Sequence, residues 1–136
     1  MVLSLIFATG CEKDEPDPPG AITVNDSVEF SNQDGDNCGE IYWTRPDDIR
    51  VYENYGYKIS ICNVGKKTGL GDIKSIPNSG FINRVACEEG YGYVVKIENT
   101  KTQKIFYARV FVIESIVSTE GGIMGAKMKY QYPFNP

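Results

Sequence analysis

The sequence predicts a single all-β domain, either an antiparallel β-sandwich or a small bent β-barrel of about eight short strands. Three observations carry this. Apolar residues alternate with polar ones, and no stretch keeps a helical period. Turn residues break the alternation at short intervals. A chain of 136 residues, 41% apolar and 12% aromatic, suffices for one folded domain and hardly for two.

The elements follow in order. Residues 22–24 and 28–30 read as short strands, and residues 32–39, NQDGDNCG, as turn chemistry throughout. Residues 41–44 make the next strand. Arg45-Pro46-Asp47-Asp48 places proline at the second position of a turn, and residues 49–52 return as a strand. Tyr57, Ile59 and Ile61 share one face while Lys58 and Ser60 take the other, the mark of a half-buried strand. Residues 65–80 form the longest stretch without periodicity, and loops of that length in a compact domain are often functional. Residues 82–87 and 91–98 are strands around Glu88-Glu89-Gly90, and residues 99–102 turn the chain into a strand over 103–118. Within it, residues 105–113 are apolar on both parities apart from Ala108 and Arg109, which places the strand centrally with both faces covered. In the last strand Ala126, Met128, Tyr130 and Tyr132 alternate with Lys127, Lys129 and Gln131, as at a sheet edge or outer surface. Gly92, Gly121, Gly122 and Gly125 allow sharp bends.

Composition narrows the chemistry. The chain has no histidine, which excludes Ser-His-Asp and Cys-His catalysis and His-ligated zinc. The net charge is −4, from 14 basic and 18 acidic residues. Residues 11–21 hold Glu12, Asp14, Glu15 and Asp17 against Lys13, so the remaining body is nearly neutral, with no basic stripe for a nucleic acid. Without a C-x-x-C pair no metal is implied, and no phosphate or dinucleotide loop completes its pattern, so no cofactor is implied either.

The N-terminus reads as an address followed by a tether. Residues 2–8 are almost wholly apolar but too few to span a bilayer, which takes about 20 residues as a helix. They match the apolar core of an export signal, and the missing basic residue before them points to a start site placed too far downstream. Ala8-Thr9-Gly10-Cys11 resembles the lipobox of bacterial lipoproteins, with alanine where leucine is more usual, and the acidic run CEKDEPDPPG resembles the surface-export signal of Bacteroides-type lipoproteins. The resemblance implies cleavage before Cys11, acylation of Cys11, and a protein held at the outer membrane and exposed on the cell surface. Residues 1–10 are then a signal peptide, residues 11–21 an acidic, proline-rich tether and residues 22–136 the β-rich domain. Asp26-Ser27-Val28 resembles the three-residue O-glycosylation site of exported proteins in that bacterial group, which makes Ser27 a candidate.

Further along, GKKTGLGDI (residues 65–73), FINRVACEEGYGYVVKI (residues 81–97) and GGIMGAKMKYQYPF (residues 121–134) resemble a family of small Bacteroides-type surface lipoproteins, a domain of unknown function. The resemblance covers most of residues 55–134 and implies a β-rich lipoprotein with no assigned chemistry.

The remaining candidates come from residue types. With Cys11 acylated, Cys38, Cys62 and Cys87 allow one bridge and leave one thiol over. Residues 32–37 offer carboxylates and amides for an irregular calcium turn, although the EF-hand spacing fails and a polar turn is the default. Asp47 with Asp48, and Glu88 with Glu89, read as solvated turn charges rather than a hydrolytic pair. Tyr52, Tyr55, Tyr57, Tyr91 and Tyr93, with Lys66 and Lys67, form the candidate binding set, because aromatic platforms stack on sugars and anchor interfaces. The leading expectation is a non-enzymatic surface module that binds a protein or a glycan. A carboxylate-dependent glycan-active enzyme and a structural subunit of an envelope assembly are the alternatives.

Overall fold

The computed structural model describes residues 27–32, 34–44, 47–53 and 56–136. The segments expected to be a signal peptide and a tether with Cys11, the strand expected at 22–24, and Tyr55 lie outside the described residues. Eight strands are described: β1 (Ser27–Ser31), β2 (Asn37–Thr44), β3 (Asp48–Tyr52), β4 (Tyr57–Lys66), β5 (Arg84–Ala86), β6 (Tyr91–Asn99), β7 (Ile105–Val117) and β8 (Ile123–Gln131). They form two four-stranded antiparallel sheets, ordered β1-β2-β3-β5 and β4-β6-β7-β8. The domain is an all-β sandwich, and among the described residues the strands close no barrel. No helix of the described residues is long and apolar enough to cross a membrane.

Alternation builds the interior. In the first sheet Val28, Ile41 and Val51 stand opposite one another across three strands, as do Trp43, Ile49 and Val85. In the second, Ile61, Val95 and Ala108 make a similar row. These inward rows meet in one core that also holds Phe30, Tyr93, Val110, Val112 and Met128. Fully burying side chains of this size stabilises the fold by about 1.5–3 kcal/mol each. Tyr93 is 0% exposed, and burial holds its phenol well above the usual range. Its hydroxyl donates to the Ala86 carbonyl at 2.7 Å and accepts the Glu88 N–H at 3.0 Å, tying the corner between β5 and β6. Tyr93 therefore offers no binding surface, contrary to expectation: its parity points it inward, opposite Val110.

Strand β7 is central, between β6 and β8, and β8 is the sheet edge, both as expected. The inward face of β7 buries Ala108, Val110 and Val112. Its outward face is covered by the aperiodic connection. Ile73, Val94 and Phe134 form a second small core there, with Val64, Leu70, Ile76, Phe81, Tyr107 and Phe111 packed around it. A short 3-10 turn, Leu70–Asp72, starts this cover, and the Asp72 carboxylate accepts the Thr68 N–H at 3.0 Å. Arg109 pins it to the sheet. Its Nη1 donates to the carbonyls of Leu70 (3.1 Å) and Ile73 (2.9 Å), its Nε donates to Gln131 Oε1 (2.7 Å), and its guanidinium lies 4.8 Å from the Phe134 ring. Such charge-assisted bonds contribute about 1.5–3 kcal/mol each where water is displaced.

Gly92 differs from the expected bend. A Cβ there would come within 2.8 Å of Ile73 Cδ1 and 2.9 Å of Lys67 Cγ, so the glycine makes room for the cover. The turn expected to run to Gly39 ends at Asp36, because Cys38 and Gly39 already lie in β2. Gly39 has φ +123°, a region that disfavours a side chain, and a Cβ there would lie 3.1 Å from the Tyr52 carbonyl oxygen. Residues 82–87 contribute only a three-residue strand. Ile82 instead forms a single bridge to Ile61 of β4, and Asn83 accepts the Val51 N–H of β3 at 3.3 Å, so this short segment stitches the two sheets along one side.

Candidate functional site

Three inward-pointing positions run past the end of the core. Tyr57 precedes Ile59 and Ile61 on the inner face of β4, Phe106 precedes Ala108 on β7, and Tyr132 follows Tyr130 beyond β8. The space between the sheets opens there into a cleft of about 470 Å³. The opposite wall comes from the turn after β1, with Asn32 and Asp34, and from Cys38 at the start of β2. The hairpin joining β6 to β7 supplies Asn99, Thr102 and Lys104, and Pro133 closes the rim.

The two asparagines hold equivalent positions. Asn32 Oδ1 accepts the N–H groups of Asp34 and Asp36, both at 2.9 Å. Asn99 Oδ1 accepts those of Lys101 at 2.9 Å and Thr102 at 3.1 Å. Each amide oxygen is consumed by its own turn, so each side chain meets the cleft as an N–H donor. In the segment 32–37, weighed as a calcium turn, the Asn32 oxygen is thus already occupied, and its Nδ2 donates to Asp36 Oδ2 at 3.4 Å. No cluster of three or more metal-ligating residues occurs among the described residues.

At the floor, the Cys38 thiol donates to the Asp36 carbonyl at 3.5 Å. Contact with this sulfur, then burial, raises the Tyr57 phenol above its ordinary value, while Asn32 pulls it the other way. Burial first, then Cys38, pushes Tyr132 up to about 12. Both phenols are neutral at physiological pH. Phe30 braces the site from β1, with its ring centroid 5.3 Å from that of Tyr132 and 6.0 Å from that of Tyr130.

Of the sequence-predicted binding residues that are described, this cleft takes Tyr57 alone. Tyr52 is 60% exposed at the end of β3, away from the cleft. Tyr91 packs half-buried against the main core, and Tyr93 is inside it. Lys66 is exposed at the end of β4. Lys67 donates its N–H to the Gly90 carbonyl at 2.8 Å, and neither lysine lines the cleft. Ser27 is exposed at the start of β1. Phe106, Tyr132 and Asn99 were missed, and Asn32 was weighed only within a calcium turn. Strand parity was a usable signal for the two aromatics, since it puts them on the same face as Tyr57.

A second concavity of about 530 Å³ lies along the outer edge of β4, lined by Glu53, Lys58, Ile59, Ser60, Phe81, Ile82, Asn83, Lys96 and Glu98. Lys96 Nζ sits 5.6 Å from the Phe81 ring centroid.

Of the acidic turn residues, Glu88 and Glu89 are exposed as expected, whereas Asp47 and Asp48 are half-buried. Asp47 is half-buried, and desolvation raises its pKa although the Trp43 indole opposes the shift; Asp48 and Glu88 add repulsion. Asp48 pairs with Arg84 at 3.8 Å. Glu89 Oε1 accepts the Ser115 N–H at 2.8 Å, next to a register shift in the β7–β8 ladder, where a backbone donor would otherwise lack a partner. Cys38, Cys62 and Cys87 are all free and buried, and no bridge forms among them. Comparison of the chain with family models, with curated proteins and with solved structures returns no match in any of the three.

Proposed function

We propose that the chain is a non-catalytic, lipid-anchored surface module of the outer membrane that holds a glycan in its end cleft. The observation that carries this reading is the lining of the cleft. Flat apolar plates (Tyr57, Phe106, Tyr132 and Pro133) stand beside amide donors, the Thr102 hydroxyl, the Asp34 carboxylate and the Lys104 ammonium. A sugar ring has C–H faces that stack on such plates and hydroxyls that both donate and accept at the rim. A volume of about 470 Å³ suits one or two sugar rings. The anchor rests on the order of the N-terminal sequence: apolar run, small residues, Cys11, charged spacer.

The test is a panel of neutral and acidic oligosaccharides titrated into the intact chain and followed by NMR. At least one sugar should shift the amides of residues 32–38 and 99–106, and Phe106→Ala should weaken it by about tenfold, worth 1.4 kcal/mol. Tyr52→Ala, outside the cleft, should leave the affinity unchanged. If no sugar binds, or if Tyr52→Ala and Phe106→Ala weaken binding equally, the reading is wrong. Metabolic labelling with palmitate tests the anchor: the label should be incorporated and should disappear in Cys11→Ala.

A further inference from the structure

We propose that the outward face of the first sheet is a second binding site, independent of the cleft, at which Arg50 and Arg84 hold the phosphate of a sugar phosphate and Tyr42 takes the sugar ring. The register places these groups in one row. Ser27 stands opposite Tyr42, Tyr42 opposite Arg50, and Arg50 opposite Arg84, across β1, β2, β3 and β5. Val28, Ile41, Ile49 and Val85, their neighbours along the strands, are buried in the core, so alternation turns the row to the outside. Ser27 and Arg84 are exposed, and Tyr42 and Arg50 are half-buried. Side chains directly opposite one another in such a ladder start about 5 Å apart at Cβ, and like charges at that spacing repel.

The two guanidiniums are short of partners. Arg84 Nε lies 3.8 Å from Asp48 Oδ2, with the side chains 55% and 24% exposed, a length and an exposure at which an ion pair is weak. Asp48 stands opposite Ala86, two residues along β3 from Arg50, so this contact draws Arg84 along the strand and away from its like-charged neighbour. Among the described residues none pairs with Arg50, and its Nε is buried with no hydrogen-bond partner. Glu29 and Glu40 also lie on this face, opposite each other in the next row, with Tyr52 beside Glu40. They bound the positive region, which is centred on β3 and β5.

Size selects a small ligand. Four strands about 4.8 Å apart, with about five residues each, cover roughly 300 Å², less than half of the ~800 Å² that a stable protein interface takes from each partner. Charge selects the group. A phosphate monoester carries about two negative charges at neutral pH and presents three acceptor oxygens, which match two guanidinium forks; a sulfate ester has the same shape with a single charge. The Tyr42 ring, opposite Arg50, offers an apolar plate for the C–H face of the sugar, and Ser27 supplies a hydroxyl at the end of the row.

The experiment is an NMR titration of the intact chain, at neutral pH and fixed ionic strength, with glucose 6-phosphate, glucose 6-sulfate, glucose and inorganic phosphate. Glucose 6-phosphate should shift the amides of residues 40–44, 48–52 and 84–86 and bind about tenfold more tightly than glucose 6-sulfate, while glucose shifts none of them. Arg50→Gln and Arg84→Gln should each weaken it about tenfold, and Arg50→Lys, which keeps the charge and loses the fork, several-fold. Tyr42→Ala should weaken glucose 6-phosphate and leave inorganic phosphate unchanged. Lys101→Gln, at an exposed cation between β6 and β7, should change nothing. Equal binding of the two esters overturns the proposal. So does inorganic phosphate that binds as tightly as the sugar phosphate, or an equal loss in Lys101→Gln. Shifts confined to residues 99–106 assign the phosphate to Lys104 of the cleft and overturn it too. Absence of any shift on this face also overturns it, and a shift that then emerges once Glu12, Asp14, Glu15 and Asp17 are neutralised gives the guanidiniums to the chain's own acidic segment.

Discussion

On its inner face the second sheet buries Ile59, Ile61, Val95, Ile97 and Val110 against the strands of the first. On its outer face it buries Val94, Ile73 and Phe134 beneath a connection with no strand of its own. The inner face is dry because two alternating patterns meet, so each side chain is held from several directions. The outer face is dry only around Val94, where one arginine, two backbone carbonyls and a few irregularly spaced apolar residues hold a loop down. The first arrangement is cooperative across the whole domain. The second is local and can come off while the sandwich stays folded.

That contrast can be broken at three points. The largest effect is expected at Ile61, which is 0% exposed in the inner core. Ile61→Ala should cost about 3–4 kcal/mol, lowering the urea midpoint of the whole transition with little change in slope. Next is Arg109→Gln, which removes the guanidinium from the Leu70 and Ile73 carbonyls and from Phe134. We expect a loss of about 2 kcal/mol, with faster amide exchange confined to residues 67–81 and unchanged protection in β6. If exchange rises equally throughout, the outer layer is not a separate unit.

The smallest effect is the pH response of the two layers. Cys87, in the inner core, is pushed up from 9.0 to about 12 by burial and then by Asp47, Asp48 and Glu88. Cys62, under the cover, is raised by burial alone. A thiol whose folded pKa lies above its unfolded value contributes stability that is complete below about 9 and is lost as pH climbs toward about 12. Between pH 8 and pH 10 the domain should lose about 1 kcal/mol. Iodoacetamide should modify Cys62, whose thiol donates to the Ser79 carbonyl at 3.6 Å, at lower pH than Cys87. Equal reactivity of the two thiols would contradict the ranking.

The inner layer was largely legible in the sequence. Tyr57, Ile59 and Ile61 alternate, and so do Ala126, Met128 and Tyr130; the central position of β7 followed from its apolar run on both parities. The outer layer was not. Leu70, Ile73, Ile76 and Phe81 share no period, so nothing local announces that they cover a sheet. The length of that stretch suggested function, whereas its apolar residues serve packing. Arg109 looked like an interruption in the apolar run, because its partners are carbonyls 36 and 39 residues away. The end cleft fell between these cases. Strand parity places Phe106 and Tyr132 beside Tyr57, but only the register and the two asparagine-capped turns bring the walls together. Sequence proximity grouped the tyrosines instead, and it put the buried Tyr93 together with the exposed Tyr52.

The three interior sulfhydryls carry a consequence for biogenesis. In an oxidising compartment, collapse and cross-linking compete for the same atoms. A chain that closes first holds all three sulfurs buried and slows their oxidation. A chain that pairs two of them first carries a link that is absent from the native interior. Rapid collapse, or a reductase acting on the nascent chain, then favours the fully reduced fold wherever this protein matures outside a reducing cytoplasm.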